Sequence, residues 1–395
     1  MNIRTGHGTI TLTVLLAIYS ISMVTSLPGL AISPILGDLE NVFRHASELK
    51  LQMLESLPSF LIVPFILLSG KLSLWVNKKK LLIIGLAIFF TCSIIYPFAD
   101  SLGLLLTVSA FLGVGAGLVI PFSTGLVADY FSGSYRVRQL GYVSSITNIT
   151  LVLATLLSGV LAGFSWHYSF LVYCFSGISL FFAFFLDNKP PYETASESRQ
   201  KSPSTSVTRF RWPIRLMLLY YFITLIVLVV PFNLSLYMHN LKIGNYDTSG
   251  TLISVFFLAM TLPGLFLNQI LGWLKSFTNF TALVMISAGL LLFTFKGGLA
   301  VLTLGVILIG FGYGTMQPLI YDKTADSVPT KNATYALSLV MVMNYISIIT
   351  YPFIYQLFGN IFSTDSAYFP FIFSNCMGIA FTVFAFFRRR TKTLG

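Results

Sequence analysis

Twelve separate apolar runs, most of them close to the length that crosses a bilayer, leave this chain very few ways to fold. A spanning helix needs about 20 predominantly apolar residues, and such runs lie near 10–31, 51–73, 80–99, 102–126, 140–163 and 168–186. After a polar break, others follow near 213–237, 249–272, 279–295, 298–320, 335–359 and 368–387. Only 9% of the 395 residues are charged, against about 25% in soluble domains. Too little polar material remains to cover a water-facing surface, which excludes a soluble enzyme, a disordered regulator and a free nucleic-acid-binding domain. Inside lipid every backbone polar group must be satisfied within the segment, so runs of this length form helices. The first run follows Arg4 but is long for a signal peptide and lacks a small-x-small cleavage site, so it counts as helix 1. The expected fold is an all-α membrane protein with twelve transmembrane helices in two pseudo-symmetric six-helix bundles.

The net charge of +11 invites a polyanion-binding reading until the charges are placed. With the N-terminus inside, all of the 24 basic residues except Arg44, Lys50, Lys242 and Lys296 fall on the cytoplasmic side. The acidic residues divide evenly between the faces, leaving Glu55 within a span. Basic loops inside are a topology signal; no basic stripe with interleaved aromatics suggests nucleic acid. Cys92, Cys174 and Cys376 sit in apolar runs and read as small buried hydrophobes. The four histidines are scattered, so neither a metal site nor a catalytic constellation is expected.

Segment 187–212 is the one long polar stretch, rich in Pro, Ser, Lys and Arg, and reads as a cytoplasmic linker. It divides the chain into 1–186 and 213–395. The two halves are related: Gly113, Gly115, Gly117, Pro121, Ala128 and Asp129 match Gly310, Gly312, Gly314, Pro318, Ala325 and Asp326 without gaps, and Asn148 answers Asn344. Two parallel six-helix repeats about an axis along the membrane normal are a transporter architecture. The glycines have a packing reason, since they let helix backbones approach where lipid supplies no hydrophobic drive.

Several motifs carry a family resemblance. The loop after helix 2 reads Gly70-Lys71-Leu72-Ser73-Leu74-Trp75-Val76-Asn77-Lys78-Lys79. This is similar to the G-x-L-x-D-x-x-G-[RK]-[RK] pattern of the major facilitator superfamily, with Leu74 at the acidic position and Asn77 at the second glycine. Asp129 through Arg136, Arg138 and Gly141 resembles the D-x₆-R-x₄-G stretch after helix 4, and Trp166-His167-Tyr168-Ser169-Phe170 the opening of helix 6. The chain is most similar to the bacterial twelve-helix drug:proton antiporter branch. Two of that branch's signatures are altered: Ser109 replaces an arginine in helix 4. The G-x₃-G-P-x₂-G-G pattern of helix 5 falls on Thr150, Ala154, Thr155, Ser158 and Gly159, so its Gly-Pro bend is gone.

Glu55 is the proton-coupling candidate, because a carboxylate within a span is costly unless it faces protein or a water-filled cavity. Gly70, Lys78, Lys79, Asp129, Arg136, Arg138 and Asp326 are the cytoplasmic gate candidates. Asp129 and Asp326 end helices 4 and 10, where a carboxylate opposes the helix dipole and calls for a cation. The expected partners are Lys78, Lys79, Arg136 or Arg138 for Asp129, and Lys275, Lys323 or Lys331 for Asp326. The resemblance implies a cavity lined mainly by helices 1, 4, 7 and 10, with help from 2, 5, 8 and 11. Its candidates are Tyr19, Met23, Asn148, Tyr220, Tyr221, Thr224, Tyr313, Gln317, Met341, Asn344 and Tyr345. Flexible Met and flat aromatic faces suit bulky, partly apolar ligands. The expectation is proton-coupled, alternating-access efflux of small amphiphilic or drug-like compounds from a bacterial cytoplasmic membrane, both termini inside. The alternative is a facilitator or proton symporter for a neutral metabolite. No cofactor or nucleic acid is expected; the partners expected are a small-molecule substrate, protons and lipid, and the small loops leave little surface for a protein partner, which suits a monomer.

Overall fold

The computed structural model describes the chain except residues 1, 7, 29–41, 44–47, 188–212, 242, 244–245, 296–297, 364–365, 367 and 393–395. The linker expected at 187–212 therefore lies, beyond Asp187, outside the described residues. A small antiparallel hairpin opens the chain, β1 (Asn2–Arg4) pairing with β2 (Thr9–Thr11) in the register Asn2 to Thr11. There follow α1 (Leu12–Thr25), α2 (Glu48–Leu72), α3 (Lys78–Ile95), α4 (Leu102–Tyr130) and α5 (Gly133–Ala162). Next comes α6, a 3-10 stretch (Trp166–Cys174) running into an α-helix (Phe175–Ala183). After the linker, α7 comes in two pieces (Ile214–Val227 and Val229–Asn240), as does α8 (Tyr246–Leu265 and Leu267–Leu274). The chain ends with α9 (Thr278–Leu292), α10 (Leu299–Asp326), α11 (Thr330–Ile361) and α12 (Phe369–Lys392).

Each apolar run of the sequence coincides with one of these helices. Among the described residues seven helices are long and apolar enough to cross a membrane, and α8 qualifies as a span bent by 70°. The described apolar parts of α1, α2, α9 and α12 are shorter. Large apolar side chains also point outward around the assembly, among them Phe60, Ile84, Leu153, Phe181, Leu262 and Phe353. Water would penalise such a belt; hydrocarbon accepts it.

The glycine ladders account for how the helices approach. A Cβ on Gly113 would lie 2.7 Å from the Pro58 carbonyl of α2, and one on Gly115 2.9 Å from the Gly85 carbonyl of α3. In the second half a Cβ on Gly310 would lie 2.6 Å from the Phe256 carbonyl of α8, and one on Gly312 2.6 Å from the Ala282 carbonyl of α9. Ala282 stands in the second half where Gly85 stands in the first, at the same offset that carries Gly113 to Gly310. The internal repeat is thus written in the contacts as well as in the letters.

Altered signature positions find structural uses. Pro58 lies inside α2 and has no N–H to offer the carbonyl one turn earlier, that of Leu54. The buried hydroxyl of Ser109 in α4 donates to that carbonyl at 2.9 Å. The loss of the Gly-Pro pair leaves α5 uninterrupted through its 30 residues. Asn77 caps α3, accepting the Lys79 N–H at 2.9 Å.

The two halves meet through α5 against α8, α2 and α4 against α11, and α5 against α10. A Cβ on Gly141 of α5 would collide with the Gly264 carbonyl of α8, and one on Gly70 of α2 with the Ser338 side chain of α11. A Cβ on Gly125 of α4 would come within 2.7 Å of Thr334 Oγ1. The hairpin docks at the same end: Ser132 N–H donates to the Thr5 carbonyl at 3.0 Å, and Gly6, at φ +90°, packs on Ser132 and Tyr135. The N-terminus therefore shares a face with the α4–α5 turn.

Close approach makes a specific demand at Gly314, where a Cβ would meet the Met260 backbone carbonyl. Gly314→Ala should destabilise the protein by about 1–3 kcal/mol, as overpacking does, whereas Gly103→Ala, with nothing within 4 Å, should be nearly neutral. Thermal unfolding of the two variants in detergent checks this; equal midpoints would contradict the contact.

Candidate functional site

Three layers of polar side chains lie along α5 and α10, where the two halves face one another. The outermost is ionic. Lys78, at the start of α3, donates to both carboxylate oxygens of Asp129 at the end of α4, at 2.8 and 2.6 Å. Asp129 is 4% exposed, so removing either partner would strand a buried charge. This pair stays within the first half. The second pair crosses between halves: Arg136 Nε donates to Asp322 at 2.8 Å and Nη2 to Asp326 at 2.5 Å. The expectation that Asp326 pairs with Lys275, Lys323 or Lys331 is corrected here. Its partner is Arg136, because the start of α5 abuts the end of α10 and a planar guanidinium can serve two acceptors at once.

The middle layer is neutral. Ser144 of α5 donates to Gln317 of α10 at 2.9 Å, and the Gln317 amide donates to the hydroxyls of Tyr220 and Tyr321 at 3.0 and 3.3 Å. Those two hydroxyls lie 2.8 Å apart. One turn further along α7, Thr224 bonds the Tyr313 hydroxyl at 3.0 Å. From Arg136 to Ser144 is eight residues, or roughly 12 Å of helix rise, so this layer lies well inside the ionic one. The third layer is marked by Asn148, one turn beyond Ser144 on the same helical face. It is 7% exposed, and its Nδ2 has no hydrogen-bond partner among the described residues. A buried amide donor without an acceptor is costly.

The other candidates distribute as follows. Tyr19 of α1 donates to Gln139 of α5 and packs edge-on against Tyr142 with ring centroids 6.4 Å apart, within the first half. Tyr221 turns to the other face of α7 and bonds Thr350 of α11 at 2.9 Å. Met341 is buried and accepts from Thr124 across the interface at 3.4 Å, while Met23, Asn344 and Tyr345 are half-buried. Gly70 lies in the contact between α2 and α11. Lys79 serves elsewhere: its Nζ donates to the Phe184 and Leu186 carbonyls at 2.8 and 2.6 Å, closing the end of α6, where a cation complements the dipole. Arg138 lies over the Tyr135 ring at 5.6 Å, and its buried Nε has no hydrogen-bond partner among the described residues. The side chain of Glu55 lies outside the described residues.

Sequence reasoning missed Asp322, Ser144 and Tyr321. Asp322 was counted as a loop charge; the available signal was its spacing four residues before Asp326, which puts both carboxylates on one face of α10.

A family model described as Major Facilitator Superfamily matches residues 10–352. In sequence the chain is similar to the quinolone resistance protein NorA of Staphylococcus aureus (strain Mu50 / ATCC 700699), 25% identical over 276 residues, 67% of this chain and 69% of NorA. Multidrug resistance protein 3 of Bacillus subtilis (strain 168) is 29% identical over 115 residues, 29% of this chain and 22% of that protein. Among solved structures, the human organic anion transporter MFSD10 (TETRAN) superposes with a TM-score of 0.74 at 14% identity, covering 94% of this chain and 99% of its own. The proton:xylose symporter XylE gives 0.72 at 13%, covering 95% and 94%. At these identities the two structures share the fold alone.

The two ionic pairs should behave differently when broken. Arg136→Met removes a tie between halves and should raise the labelling rate of a cysteine at Thr124, buried against Met341, by about tenfold or more; buried pairs resist breaking by several kcal/mol. Lys78→Met should lower thermal stability while changing that rate little. Maleimide labelling in a background lacking native cysteines measures both, and similar rates in the two variants would refute the distinction.

Proposed function

Because the chain belongs to the Major Facilitator Superfamily, we propose that it is a secondary transporter that exports small amphiphilic or drug-like compounds in exchange for protons. The observation that carries this reading is the similarity to a quinolone resistance protein over about two thirds of both chains. The geometry fits it. Two helix sets are held shut at one end by Arg136 on Asp322 and Asp326, contacts that can break and re-form as the passage opens to alternate faces. Behind them lie the Ser144–Gln317–Tyr220–Tyr321 layer and the unpartnered Asn148 amide, with Met23, Tyr313, Met341, Asn344 and Tyr345 as the adaptable apolar and polar faces for a bulky ligand.

In this reading residues 1–186 and 213–395 are the two rocking bundles and 187–212 the linker between them. The closed end faces the cytoplasm, as the distribution of basic residues favours. Both termini are cytoplasmic, the protein works as a monomer in a bacterial cytoplasmic membrane, and it performs no covalent chemistry. Asn148 is a hydrogen-bond donor to the ligand, and Glu55 remains a candidate for carrying the proton.

The test is uptake of a labelled quinolone into proteoliposomes, with and without an imposed pH gradient. Uptake against its own gradient into the acidic compartment, abolished by an ionophore that collapses the pH difference, is the expected result. Asn148→Ala should weaken apparent affinity by about fivefold to tenfold, the worth of one buried hydrogen bond. Equilibration indifferent to the pH gradient would replace the exporter with a facilitator.

A further inference from the structure

The two carboxylates on Arg136 are unequal. Asp326 accepts from Nη2 yet is 66% exposed, so water screens it; Asp322 accepts from Nε, is 15% exposed, and lies one turn deeper on α10. One guanidinium thus faces two acids on adjacent turns of one helix. The charges acting on Asp322 are Arg136 from α5, and Lys323 and Asp326 from its own helix. Lys323 is exposed on the surface of α10, where solvent weakens its help. From α7 the Tyr220 hydroxyl bonds that of Tyr321, the residue before Asp322. Asp322 is therefore the acid whose charge is held chiefly by the tie between the halves. That tie in turn depends on Asp322 being charged.

We propose that Asp322 is the proton-coupling switch of the closed end: one proton added to its carboxylate forms an O–H and removes its negative charge, so Arg136 Nε faces only a neutral, weaker acceptor and α5 unlatches from α10. The one charged partner left to Arg136 is then the water-exposed Asp326, and exposed pairs contribute little. Loss of the proton on the opened face restores the carboxylate, which recaptures Arg136 and shuts that face again. The chain of hydroxyl and amide groups from Ser144 through Gln317 and Tyr220 to Tyr321, the residue before Asp322, lies between the third layer and the latch. The export reading orders the events. A proton arriving from the far side unlocks the near side, and a ligand leaves only when the latch has re-formed, which is exchange rather than cotransport. This last step rests on the export reading; the switch itself does not.

The experiment measures the switch without any ligand. Spin labels at Lys80→Cys on α3 and Lys331→Cys on α11, both exposed on the closed face, report its width in full-length protein lacking the native cysteines, from about pH 8 down to about pH 4, where carboxylates ordinarily gain their proton. The expected result is a several-fold rise in the wider population on acidification. Asp322→Asn should show the wider population at every pH, and Asp326→Asn should keep the pH response. Asp322→Glu, which keeps an ionisable group, should keep a response with a displaced midpoint and guards against a folding defect in the amide variant. A wild-type protein with no pH response, or an Asp322→Asn protein that retains it, would overturn the proposal. If the switch responds as expected while proteoliposomes show no gradient-driven export, the export reading alone fails.

Discussion

Lipid gives helices no reason to stick together: a leucine is as comfortable against an acyl chain as against another helix. Cohesion in this protein therefore rests on backbones brought into direct contact. The glycines of α4 and α10 do this on two sides at once, each ladder alternating between two neighbouring helices. Short polar side chains supply the rest. Ser109 covers the carbonyl that Pro58 leaves open, and Ser69 donates to the Leu118 carbonyl at 2.7 Å. Each such bond is worth only about 0.6 kcal/mol in a bilayer, so it is their number and the close contacts together that hold a bundle.

The two repeats share this architecture and then diverge at their matching carboxylates. Asp129 is satisfied inside its own half by Lys78. Asp326, at the equivalent place, reaches across to Arg136 instead, joined by Asp322. The position equivalent to Asp322 in the first half is Gly125, which uses its missing side chain to admit Thr334 of α11. A symmetric scaffold has been given an asymmetric lock: one half braces its own corner and the other supplies the bolt.

Fold and repeat were legible because apolar run length and glycine spacing are local properties of the chain. The matching contacts of Gly113 and Gly310 were implied by letters alone, as was the need for cations at Asp129 and Asp326. Which cation went where was not legible. Lys275 stands where the repeat would put an equivalent of Lys78, yet it takes a positive φ of 45° at the break between α8 and α9, and the start of α5 is nearer to Asp326. Asp322 looked like one more loop charge because the sequence does not say which face of α10 meets α5. The carbonyls that Lys79 serves were hidden for a similar reason: the end of α6 arrives beside it through tertiary packing. Asn148 and Gln317, by contrast, were readable as polar residues in apolar spans, which rarely sit there without a partner or a task.

The unbroken length of α5 has a mechanical consequence. Its glycine contact with Gly264, and the Ser145 bond to the Thr261 carbonyl at 2.7 Å, lie between Arg136 at one end and Asn148 further along. Without a proline or a soft hinge, a rod pinned at such a point behaves as a seesaw. On the export reading proposed above, lifting the arginine end away from α10 would swing the asparagine end the opposite way, linking access at one surface to grip at the centre through one beam.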